Sequence, residues 1–211
     1  MQRLIAPILY AFLSLLFVAN AKANLIINGS FEDNQIQNGT WKLFSDQQLS
    51  GWRGNNMEIW NNFGAINMFD GNQLLELNSQ LYKGQFTGIS QSFATEIGQT
   101  YDISFAYRAR HSNSESFNMR LDSGLGELFS KDFDDHVTGK WATYHGQFIA
   151  TDTITTLHFN PLIPIRSTVG NLIDNIVVEK RSSTVVAEPQ MLLMLALGLV
   201  LLTVVIRRRY A

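Results

Sequence analysis

Apolar residues gather at the two ends of the chain, and between the ends they occur only in short alternations with polar residues. Leu4 to Val18 is a nearly continuous apolar run, and so is Met191 to Ile206, broken only by Gly198 and Thr203. From Asn24 to Lys180 no stretch keeps an apolar period of 3.6 residues, whereas many keep a period of two, the spacing of a strand with one buried face. The pattern predicts strands at Leu25 to Asn28, Met57 to Trp60, Gln73 to Asn78, Ile89 to Phe93, Tyr101 to Arg110, Phe117 to Asp122, Trp141 to Ile149, Ile154 to Phe159 and Leu172 to Glu179. The clearest is Tyr101 to Arg110: Tyr101, Ile103, Phe105, Tyr107 and Ala109 share a core face, and Asp102, Ser104, Ala106, Arg108 and Arg110 share a polar one. Short strands separated by turn residues predict an all-β sandwich.

The two terminal runs read as targeting segments. Arg3 precedes the first run, and Ala21-Lys22-Ala23 follows it as a small-x-small cleavage site, so residues 1–23 form a secretory signal peptide cut after Ala23. The second run, taken as a helix over 191–206, rises about 24 Å, slightly under a hydrocarbon core, and needs its neighbours to span it. Arg207, Arg208 and Arg209 follow at once and place that end in the cytoplasm. The expected organisation is therefore a signal peptide, a β-sandwich over 24–180, a linker over 181–187 and a membrane-embedded tail over 188–211.

Charge and composition narrow the partners. Between Asn24 and Ala187 there are 11 basic and 17 acidic residues, a net charge of −6, which argues against nucleic acid. The chain has no cysteine, so disulfide scaffolds, zinc fingers and thiol nucleophiles are excluded. No Gly-x-Ser-x-Gly elbow, His-Glu-x-x-His or phosphate-cradling loop occurs. Glu58 and Glu76 are one conceivable glycosidase pair among many carboxylates, and the chain reads as a non-enzyme. Asp132, Asp134, Asp135 and His136 lack the glycine and distal glutamate of an EF-hand loop and read as a solvated turn.

Ala187-Glu188-Pro189, the apolar run and the arginine cluster together resemble a PEP-CTERM sorting signal, with Ala187 where the first proline usually stands. That resemblance implies a Gram-negative bacterium making exopolysaccharide and processing by an exosortase. It further implies transient anchoring in the inner membrane with the domain in the periplasm, then delivery to the cell surface or biofilm matrix. Asn28-Gly29-Ser30-Phe31-Glu32 at the start, Gly51-Trp52, Asp70-Gly71-Asn72-Gln73 and the closing Asn171-Leu172-Ile173-Asp174-Asn175-Ile176-Val177-Val178 resemble a carbohydrate-binding-module-like, galactose-binding-like jelly roll. In that superfamily the opening motif and the closing strand lie side by side, and many members hold a structural calcium ion there. Glu32 and Asp174 are the oxygen donors for such an ion, or else acceptors of backbone hydrogen bonds.

A polysaccharide partner follows from the second resemblance. Sugar sites combine an aromatic platform with amides or guanidinium groups that match hydroxyl pairs. The candidates are Trp60 with Asn61 and Asn62, and Arg108 with Arg110; Trp60 is equally a core residue, and the arginines equally pair with Asp102 or Glu76. Trp41, Trp52 and Trp141 are equally core residues, which large aromatics in sandwiches usually are. The rival functions are a structural or adhesive matrix protein without sugar binding, and a glycan-processing enzyme.

Overall fold

The computed structural model describes residues 23–79, 88–164, 168–181, 198 and 206–209. The expected cleavage residue Ala21, the motif Ala187-Glu188-Pro189 and most of the run 191–206 lie outside them. Ile206 to Arg209 are helical, and among the described residues no helix is long and apolar enough to cross a membrane. The chain divides into two units at Lys180.

The first unit is all β. Its strands are β1 (Thr40–Phe44), β2 (Met57–Asn61), β3 (Gln73–Glu76), β4 (Ile89–Ala94), β5 (Thr100–Arg108), β6 (Ser116–Ser123), β7 (Gly126–Phe133), β8 (Ala142–Ile149), β9 (Ile154–Ile163) and β10 (Leu172–Lys180). They form a six-stranded sheet, β1-β2-β3-β10-β5-β8, and a four-stranded sheet, β4-β9-β6-β7, with every neighbouring pair antiparallel. This is a β-sandwich, as the alternation predicts, and of the jelly-roll form that the resemblance implies. Between the sheets lie Tyr101, Ile103, Phe105 and Tyr107 of β5, with Phe117, Phe133, Phe148 and Phe159 from their neighbours. Phe105 packs edge-on against Phe117, Phe133 and Phe159 at centroid distances of 5.0 to 6.2 Å, the geometry ring quadrupoles favour.

Three elements differ from expectation. β1 and β7, missing from the pattern, are edge strands, and β7 is exposed along most of its length, so little apolar alternation marks them. Leu25 to Asn28 is not a strand: the bridge at Asn24 to Glu179 precedes it, and the chain turns through positive φ at Asn28 and Phe31. Third, His136 is not in a solvated turn. It is fully buried against Tyr107 and Phe117, with Nε2 3.0 Å from Asn171 Oδ1.

The opening and closing motifs do lie side by side. Ile176 N donates to Gly29 O at 3.0 Å, and a Cβ on Gly29 would collide with the Ile176 carbonyl. Phe31 and Trp52 are fully buried with ring centroids 5.6 Å apart, and Trp52 Nε1 donates to Asn28 O.

Candidate functional site

Strand pairing places two rows of side chains across the outer face of the six-stranded sheet. One runs Leu43, Glu58, Glu76, Leu172, Arg108; the other runs Trp41, Trp60, Leu74, Asp174, Ala106, Thr143. An open sheet face of this kind is ordinarily polar, but here Trp60, Leu74 and Leu172 are fully buried. The connection between β2 and β3, residues 62–72, folds back over the sheet and lays Phe63, Ile66 and Met68 on them. Gly64 permits this approach, since a Cβ there would meet the Trp60 ring at 2.9 Å.

The strap is tied down at three places. Trp141 Nε1 donates to Asn67 O at 2.8 Å. Asp174 Oδ2 accepts from the backbone N–H groups of Phe69 and Asp70, both at 2.9 Å, and its Oδ1 from Asn175 N. Glu32 Oε1 accepts from the N–H groups of Asn72 and Gln73, both at 2.6 Å. Gly71, at φ 62°, lies against the Glu32 carboxylate where a Cβ would not fit. Burial pushes the Asp174 carboxyl up to about 7, against the three N–H groups that favour its charged form.

This arrangement bears on the calcium expectation. Glu32 and Asp174 do meet at one loop, and there they take the second of the two expected roles: three of their four carboxylate oxygens accept backbone hydrogen bonds. Glu32 and Asp174 act as clamps on the strap.

Beside the strap, over β1 and β2, lies a cleft of about 300 Å³ lined by Trp41, Leu43, Glu58, Trp60, Phe63, Arg110, Thr168 and Val169. Trp41 stands directly across from Trp60 and is 48% exposed, whereas Trp60 is 1% exposed. The Arg110 guanidinium covers the Trp60 ring at 4.5 Å, and Phe63 meets that ring edge-on at 5.1 Å. Trp60 Nε1 donates to Glu58 Oε1 at 2.7 Å. Burial pushes the Glu58 carboxyl above the usual carboxylate range, opposed by the Trp60 N–H and Arg110.

Arg110 is fixed from below. Its Nη1 lies 2.8 Å from both oxygens of Glu76, and Gly170 N donates to Glu76 Oε1. Its own backbone N–H donates to Glu115, whose carboxylate also accepts from His111, Ser112 and Asn171. Burial pushes Glu76 up to about 8, with Arg110 pulling it down. Because both Glu76 oxygens face Arg110, Glu58 and Glu76 do not flank an open space in which a glycosidic bond could sit.

The remaining candidate residues disperse. Asn61 is buried on the opposite side of β2 from Trp60 and donates to Ile36 O. Asn62, at φ 47°, ties the start of the strap to Asn38 and Asn72. Arg108 lies across Leu172 on the outer face and does not line the cleft; burial lowers its pKa. Trp52 is core and Trp141 holds the strap, while Trp41, for which the sequence leaves core and site open, is the exposed ring. Its signal was the alternation Thr40-Trp41-Lys42-Leu43, too short to read as a strand on its own.

On the other side of the strap the face opens again into a polar cleft of about 560 Å³, lined by Asp102, Ser104, His145, Gln147, Val177 and Glu179 among others. It contains no aromatic side chain.

Comparison with known proteins gives one family match and several distant structural similarities. No curated protein matches the chain. Among solved structures, a CBM4 module is 18% identical, covers 74% of this chain and 99% of its own, and superposes with a TM-score of 0.45. TmCBM61, solved in complex with β-1,4-galactotriose, is 14% identical over 75% of this chain and 99% of its own, with a TM-score of 0.48. The CBM22-1 xylan-binding domain of Paenibacillus barcinonensis Xyn10C is 13% identical over 71% and 100%, with a TM-score of 0.44. Their ligands are properties of those modules. Residues 24–179, nearly the whole sandwich, match the family described as "Protein of unknown function (DUF642)", and the chain belongs to that family.

Proposed function

We propose that the chain is an exported, non-catalytic carbohydrate-binding protein, and that the cleft between Trp41 and Arg110 is its sugar site. The observation that carries this reading is the half-exposed Trp41 ring beside a fixed guanidinium and a carboxyl. A tryptophan face packs on the C–H side of a pyranose, while Arg110 and Glu58 match its hydroxyl groups. The polar groups are held by Glu76, Glu115 and Trp60, so little side-chain freedom is lost on binding. The two terminal apolar runs support delivery outside the cytoplasm. The Glu188-Pro189 tail with its arginines supports sorting by an exosortase from the inner membrane to the exopolysaccharide matrix of the surface. The fixed position of Glu76 behind Arg110 supports binding without turnover.

Binding of the purified full-length chain to a panel of soluble polysaccharides, the producing cell's own included, tests the site. Trp41→Ala is expected to weaken binding to the retained polysaccharide about tenfold, equivalent to about 1.4 kcal/mol, with an unchanged circular dichroism spectrum. Equal retention of the folded variant rejects this cleft, and no retention of the wild type rejects sugar binding.

A further inference from the structure

Resting on that reading, we infer that the site takes the end of a glycan chain, or a short branch, and not the interior of a continuous polysaccharide. A sheet face that grips a polymer along its length must leave a path in at one side and out at the other. Here the strap over 62–72 occupies the path. Phe63, Ile66 and Met68 lie across the middle strands, on Trp60, Leu74 and Leu172, and stand between the 300 Å³ cleft by β1 and β2 and the 560 Å³ cleft over β5, β8 and β10.

The strap is not built to move aside. Lifting it breaks five hydrogen bonds, from Trp141 to Asn67 O and from Phe69, Asp70, Asn72 and Gln73 to the two clamping carboxylates. It also returns three fully buried apolar side chains to water. Segments that open for ligands have few buried contacts, whereas Phe63, Ile66 and Met68 of this one pack on three fully buried side chains. Toward β3 the cleft is walled by Arg110, which is locked to Glu76 and touches Thr168 O at 3.4 Å. A volume of about 300 Å³ lies at the lower bound for ligand sites, enough for a terminal unit and part of the next.

Chain-length dependence tests this inference separately from sugar binding itself. The probes are defined β-1,4-linked galacto-, xylo- and gluco-oligosaccharides of one to six units, titrated calorimetrically into the full-length protein. For a series that binds, the dissociation constant is expected to reach its limit by two units and to stay within about twofold from two to six, because later units find no subsite. A further gain of about tenfold or more between the dimer and the hexamer shows successive subsites and overturns the end-reading inference while leaving the sugar-binding reading intact. Absence of binding by all three series overturns both.

Discussion

The sandwich carries two apolar clusters of different character. The larger lies between the sheets and is dominated by stacked and edge-on aromatics from β5, β6, β7, β8 and β9. The smaller, Trp60, Leu74 and Leu172, lies on the outer face under the strap, and its edges are charged: Arg110 on Trp60, Asp174 and Glu32 on the strap backbone. The first cluster would serve any jelly roll. The second exists only because one connection folds back onto the sheet, and it shapes the cleft beside it. The first cluster rests on hydrophobic burial, whereas the second needs burial together with satisfied polar groups.

Removing a ring from each cluster should separate the two roles. Phe105→Ala empties the centre of the inter-sheet core and is expected to lower unfolding free energy by about 3 to 5 kcal/mol, seen in urea titration as a lower midpoint. A loss under about 1 kcal/mol would mean that the aromatic cluster is not the stabilising core.

Asp174→Ala strikes the smaller cluster. It leaves the N–H groups of Phe69 and Asp70 without their acceptor, at about 1 to 3 kcal/mol each. Destabilisation by about 3 kcal/mol is expected, together with a red shift of tryptophan emission as the strap leaves Trp60. Full stability with unchanged emission would refute the clamp.

The His136 side chain joins the ends of the two sheets and gives a pH signature. Asn171 Nδ2 is engaged with Asn78, Ser116 O and Ile163 O, so its Oδ1 accepts from His136 Nε2–H and leaves Nδ1 unpartnered. Burial holds the His136 pKa below its ordinary 6.5, opposed by Asn171 and nearby carboxylates. The unfolded chain therefore binds this proton at a higher pH than the folded one, and its contribution to stability is lost as pH falls below about 6.5, with a slope of at most about 1.4 kcal/mol per pH unit. The difference between wild type and His136→Gln isolates this slope from the acidic groups. A difference that does not vary between pH 7 and 5 would show that His136 is not held neutral by burial.

The smallest expected effect is that of chelation. Since backbone N–H groups fill the Glu32 and Asp174 oxygens that face the strap, EDTA should leave the melting temperature unchanged. A drop of several degrees on chelation, reversed by calcium, would reinstate the ion by mass action.

Much of the sandwich is legible in the sequence because strands such as β4, β5, β6 and β9 bury one face, and burial forces a period of two. Of the four edge strands, β4 and β8 are legible, and β1 and β7 are not. The strap left a partial signal. Phe63, Ile66, Met68 and Phe69 are four large apolar residues in a connection otherwise rich in Asn and Gly, and such residues must be covered somewhere.

The sequence by itself determined the period-two alternation, the inward face of Tyr101 to Tyr107, and the apolar terminal runs. These depend on neighbours along the chain. Tertiary structure alone decided that Arg110 lies on Trp60 and Glu76, that Trp41 and not Trp52 or Trp141 is the exposed ring, and that Glu32 and Asp174 hold backbone hydrogens. Strand order β1-β2-β3-β10-β5 sets Leu43, Glu58, Glu76, Leu172 and Arg108 in one row, and the loops beside that row then meet. Periodicity fixes which face a side chain takes, and only strand pairing fixes what stands beside it.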